Sequence, residues 1–184
     1  MISENKKISY QDTLRVLPHD VRYYNPYGTH AGVVLVMEPS LQTLKIDAGA
    51  SVKEVQYDFP YLVLLYNAQQ QLHLFFAYEP VTEKTPLYHP ILPNFHGHSL
   101  ACFGNVKRPA IDSGDLKKLK AKLWAVIFNC IYTGHSSTGI AGQMAKGERI
   151  AEYATNKKAG NPVQSFKSAV NTHVGQATLN LFQY

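Results

Sequence analysis

Two apolar runs constrain this chain more than any other feature: Tyr61-Leu-Val-Leu-Leu-Tyr66 and Leu72-His-Leu-Phe-Phe-Ala77, joined by the polar Asn67-Ala-Gln-Gln-Gln71. Their composition and the length of the connection describe an antiparallel hairpin over 61–77. Val33-Val34-Leu35-Val36-Met37, bounded by Gly32 and Pro39, is β-branched and apolar and reads as a buried strand. Leu41 to Ile46 and Val52 to Tyr57 alternate more loosely and give two further short strands. A sheet of about four strands is the expectation. Residues 1–30 show no sustained period and hold at most one short strand.

After the hairpin, Pro80, Pro86, Pro90 and Pro93 punctuate the chain. Proline lacks the amide donor, so this stretch is expected to run as an extended, rigid loop. Asp112-Ser-Gly-Asp115 then supplies helix-start chemistry, and Leu116, Leu119, Leu123, Val126 or Ile127, Cys130 and Ile131 repeat at helical spacing up to Gly134. The spacing predicts a helix over 115–133, packed by its Leu116, Leu123, Ile127 and Ile131 face. Lys117, Lys118, Lys120 and Lys122 lie opposite, either as a solvated surface or as a docking face for an acidic partner. Further on, Met144 to Tyr153 could line one short helix, and Val163, Phe166 and Val170 another. Strands followed by helices indicate an α+β fold, an antiparallel β-meander with helices packed on one face.

The chain of 184 residues falls in the range of a single domain, 1–184. At 45% hydrophobic and 17% charged it is globular, because burial of apolar surface can offset the entropy of ordering the chain. The net charge is +5, but the basic residues are spread out, which leaves nucleic-acid binding unsupported. No apolar stretch marks a signal peptide or a spanning helix, so no membrane is expected and the cytoplasm is the expected compartment.

Cys102 and Cys130 are the two cysteines, and a lone disulfide in a reducing compartment is not expected. Cys130 falls on the apolar stripe of the predicted helix, where a thiol behaves as a small apolar residue. Cys102 follows a polar loop and precedes Phe103-Gly104-Asn105, which leaves its sulfur accessible.

Pro93-Asn94 precedes Cys102 at an interval of eight from the asparagine, with Gly97 between them. In this the segment resembles the ubiquitin-conjugating enzymes, in which a His-Pro-Asn turn precedes the thioester-forming cysteine by the same interval. The wording from Leu87-Tyr88-His89-Pro90 to Ala101-Cys102-Phe103-Gly104-Asn105, then Trp124 to Phe128 and Tyr132-Thr-Gly-His135, is similar to the prokaryotic branch typified by PRTRC system protein B. The layout resembles that family over 33–136, and its motif over 86–105; 137–184 is an extension without an assigned role. The family histidine is Leu92 here.

The resemblance implies a conjugating-type fold and a carrier that accepts a ubiquitin-like protein on Cys102 from a ThiF-type activating enzyme and passes it to an amine or thiol acceptor. Such a thioester is an activated acyl group, which splits one hard acylation into easier steps. Asn94 would donate to the oxygen that becomes negative during attack, or would only shape the turn. His96 and His98 could act as bases toward Cys102 or an incoming amine, could ligate a metal with it, or could simply be exposed; His89 shares the segment. The spacing fits no closed zinc pattern, and neither a metal nor a cofactor is expected. Carrier, inactive binding module and cysteine hydrolase are the three classes in play.

Overall fold

A computed structural model describes residues 18–47, 51–90, 92, 94–96, 99–104, 106–111, 115–132 and 161–175, with His96 described by its backbone alone. In chain order the elements are β1 (Val21–Asn25), β2 (Gly32–Met37), β3 (Ser40–Asp47), β4 (Val52–Phe59), β5 (Tyr61–Asn67) and β6 (Leu72–Ala77). They continue with β7 (Pro86–Leu87), β8 (Phe95–His96), β9 (Leu100–Ala101), α1 (Leu116–Phe128), β10 (Ile131–Tyr132), β11 (Gln164–Ser165) and α2 (Phe166–His173).

The β5–β6 hairpin forms where the two apolar runs lie, with Tyr61 opposite Ala77 and Tyr66 opposite Leu72. Its polar turn is self-bonded: the Gln70 amide donates to Asn67 O at 2.9 Å and the Gln71 amide to Asn67 Oδ1 at 3.0 Å. On the other side β5 pairs antiparallel with β2, from Gly32 opposite Asn67 to Met37 opposite Leu62. The described sheet has six strands in the order β1-β2-β5-β6-β9-β8, larger than the four expected. The added strands include β8 and β9, two residues each, too short to show an alternating pattern.

Strand side chains point alternately to opposite faces. Val33, Leu35, Leu62, Leu64, Leu74 and Phe76 fall on one face and Val34, Val36, Val63, Leu65 and Phe75 on the other. Both faces are covered, which explains why the runs are continuously apolar. The first face packs against Leu119, Leu123 and Ile127 of α1 and against Leu44, Ile46, Tyr57 and Phe59 of β3 and β4. The second packs against Phe166, Ala169, Val170 and Val174, from α2 and its C-cap. The fold is α+β with an antiparallel meander, as the sequence indicates. The helices, however, flank the sheet instead of sharing one face, because a layer on one side alone would leave Val34, Val63 and Phe75 in water.

The β3–β4 hairpin leaves the meander and builds a second sheet, β10-β3-β4, in which Ile131 and Tyr132 pair parallel with Lys45 and Ile46. That pairing shortens the helix expected over 115–133. Asp115 caps its start by accepting from the Lys118 amide at 2.9 Å, and α1 ends at Phe128 with Asn129 as its C-cap. Leu123 and Ile127 are buried as expected, but Ile131 is 46% exposed on β10. Cys130 therefore lies beyond the helix and not on its stripe. The helix suggested around Met144 to Tyr153 lies outside the described residues, whereas Phe166 and Val170 sit on α2. No helix among the described residues is long and apolar enough to cross a membrane.

Candidate functional site

Cys102 owes its position to strand alternation. Phe95 pairs with Ala101 and His96 with Leu100, so β8 and β9 form a narrow hairpin on the sheet edge, anchored by His73 opposite Leu100 and by the Leu74 amide on Ser99 O at 2.9 Å. The segment expected as an extended loop is thus partly sheet. Ala101 and Phe103 are buried at 5% and 6%, and the residue between them points outward. Cys102 is exposed with a free thiol.

The hairpin also joins Cys102 to Asn94. The Cys102 amide donates to Asn94 O at 2.7 Å. Asn94 sits at φ +64, a left-handed conformation that asparagine tolerates better than most residues. Its Nδ2 donates to Ile131 O at 3.1 Å, tying the turn to β10. The Asn94 amide also bonds the Cys130 thiol. Ahead of the turn, Leu92 is 1% exposed within the core cluster, so an apolar anchor stands where the conjugating-enzyme motif has histidine.

Cys130 is half-buried, and its Sγ donates to Ile127 O at 3.7 Å. Burial raises its thiol pKa, and the neighbouring Tyr132 side chain, the Cys130 backbone and the Asn94 side chain oppose the rise without cancelling it. Tyr132 donates its hydroxyl to the same Ile127 O at 2.6 Å. The two cysteines thus flank Asn94 in unlike environments: one exposed beside its carbonyl, the other packed beside its amide.

The structure brings Asn94 to Cys102; the His96 side chain and all of His98 lie outside the described residues. His89 stacks instead on Phe75, on the α2 face of the sheet, with ring centroids 6.3 Å apart. That face holds a group the sequence does not announce. His73 stacks on His173 at 3.9 Å, and its Nδ1 lies 3.1 Å from Ser99 Oγ. Burial, then the neighbouring His173, pushes the His73 pKa down to about 4, and burial lowers that of His173 too. The partners are about a hundred residues apart in sequence, and only the pairing of strand and helix unites them. Among the described residues no group of three or more His, Cys, Asp or Glu is placed to hold a metal ion.

The family model Prokaryotic E2 family D matches residues 11–169, which includes the whole of the hairpin, α1 and the start of α2. No curated protein and no solved structure matches the chain. With most of its length matched by that model, the chain belongs to Prokaryotic E2 family D, an E2-like family with a conjugation-related role.

Proposed function

We propose that this chain is the carrier of a bacterial ubiquitin-like conjugation pathway of the PRTRC type, accepting a ubiquitin-like protein as a thioester on Cys102. The observation that carries the reading is the exposed thiol of Cys102, the residue after β9, whose amide is bonded to Asn94 O at 2.7 Å. In charging, the Cys102 sulfur attacks the thioester carbonyl held by a ThiF-type activating enzyme. A new C–S bond forms, the enzyme's C–S bond breaks, and its thiolate takes up the proton that Cys102 loses. In discharge an acceptor amine attacks the same carbonyl, the C–N bond forms, Cys102 leaves as a thiolate, and the amine's proton passes to a base. His96 and His98 are proposed for that proton, from their place between Asn94 and Cys102.

Asn94 braces its own turn against β10 through Ile131 O in the uncharged chain. During discharge the Asn94 side-chain amide would exchange one of its present contacts, to Ile131 O or to the Cys130 thiol, for the developing oxyanion. Cys130 is disfavoured as a carrier because burial raises its thiol pKa and lowers the share of thiolate.

A second reading, an inactive module that binds a ubiquitin-like protein or its activating enzyme, is favoured by the buried Leu92 where the motif's histidine would stand. Incubation with a cognate activating enzyme, a ubiquitin-like protein and ATP separates the readings. A reductant-sensitive adduct supports the carrier, binding without an adduct supports the module, and cleavage of the ubiquitin-like protein contradicts both.

A further inference from the structure

Beyond Cys102 the chain passes over the outer side of α1. Segment 106–110 and the helix enclose a cleft of about 740 Å3 lined by Val106, Lys107, Arg108, Lys118, Lys122 and Val126. Asp115, Lys118, Leu119, Lys122, Ala125 and Val126 recur at three- and four-residue spacing, so one stripe of the helix forms a whole wall. The opposite wall is pinned from within: Tyr66 donates its hydroxyl to Pro109 O at 2.6 Å, and the Arg108 guanidinium lies 5.3 Å above the Phe103 ring.

The cations on and around α1 divide into two kinds. Lys120 is bound to Asp20 at 2.6 Å and serves the fold. Lys107, Arg108, Lys118 and Lys122 are exposed around the cleft, and neither ion pair found among the described residues, Lys120–Asp20 or Lys167–Glu83, involves them. Among the described residues the only carboxylate in the lining is Asp115, which is occupied as the N-cap acceptor of the Lys118 amide. Between the cations the lining is aliphatic, and Val106 is 59% exposed.

We propose that this cleft docks an acidic peptide segment of a partner protein, with aliphatic side chains among its carboxylates. Four cations call for an anionic occupant, and the exposed Val106 calls for one that covers apolar surface. The same lining argues against single-stranded nucleic acid, which is held by aromatic rings stacked on its bases; among the described residues no aromatic side chain lines the cleft. The proposal stands apart from the thioester reading, since docking needs no charged Cys102.

Fluorescence anisotropy on the full chain tests it, with a fluorescein-labelled peptide alternating glutamate and valine as the probe. Binding is expected to weaken about tenfold or more in Lys118→Glu/Lys122→Glu, and to weaken as salt rises from about 0.05 to about 0.5 M. The Lys53→Glu/Lys84→Glu control, with the same change in net charge at two exposed sites, should bind as the parent does. Val106→Ser should weaken the alternating peptide while leaving weak binding of oligoglutamate unchanged. Glutamate at position 118 completes a capping pattern with Asp115, which favours folding of the double variant; Lys118→Gln/Lys122→Gln is the substitute if circular dichroism shows otherwise. Equal losses in cleft and control variants would overturn the proposal. Tighter binding of a single-stranded oligonucleotide than of the peptide, lost in the same variant, would overturn it too.

Discussion

Asn94 bonds with both its backbone and its side chain, accepting from the Cys102 amide and donating to Ile131 O. Its φ of +64 makes glycine the informative replacement, since glycine adopts that conformation without strain and removes only the amide. Asn94→Gly should fold and still form the adduct, but discharge to lysine should slow on the order of 100- to 1,000-fold, the usual effect of losing one oxyanion donor. Single-turnover discharge measures this, and a parental rate would reduce Asn94 to a turn residue. Asn94→Asp should be at least as slow, because an ionised carboxylate accepts hydrogen bonds and repels the developing charge. The Asn94–Cys102 relation is legible in the sequence through the interval of eight that resembles the conjugating-enzyme motif, whereas the hairpin that closes the interval is not. The Ile131 contact is not, because it joins residues 37 positions apart. Cys130 misleads for the opposite reason: its spacing continues the helical stripe, while the chain has already turned away at Asn129 to pair with β3.

At the level of elements, α2 lies close enough to β2 to require glycine at one point. A Cβ on Gly32 would stand 2.7 Å from Val174 Cγ1 and 3.0 Å from Tyr66 O. Gly32→Ala should therefore push α2 off the sheet and cost about 1–3 kcal/mol, the usual range for overpacking. Val174→Ala in the same chain should recover part of that loss, because it clears the nearer atom but not the carbonyl. Urea denaturation of the single and double variants checks this; a double variant less stable than Gly32→Ala alone would contradict the contact. The strands of β2, β5 and β6 were readable because their long apolar runs are buried on both faces. Their double burial also carried a message that composition alone left unused, namely that a second helix must cover the far face. The two-residue strands β7 to β11 have no such signature, since pairing is decided by neighbours distant in sequence.

For the molecule as a whole, the stacked His73 and His173 link α2 to the sheet and make that union sensitive to acid. The His73 pKa is lowered from its ordinary 6.5 to about 4, chiefly by burial and then by His173, so the unfolded chain takes up a proton at a pH where the folded one does not. The contribution of the neutral pair is complete above about pH 6.5 and is lost as pH falls toward about 4, with His73 accounting for at most about 3 kcal/mol. His73→Phe, which keeps a ring against His173, should flatten this part of the stability profile in urea titrations; an unchanged slope would assign the acid sensitivity elsewhere. The thiol side of the molecule is tested separately. Cys102→Ser replaces the thiolate with a hydroxyl whose acyl ester resists thiol reductants. Intact-mass measurement after incubation with the activating enzyme, the ubiquitin-like protein and ATP should show the parent losing its adduct to reductant and Cys102→Ser retaining one that only alkali removes. An adduct on Cys102→Ser that reductant still releases would place the thioester on another sulfur and contradict the account.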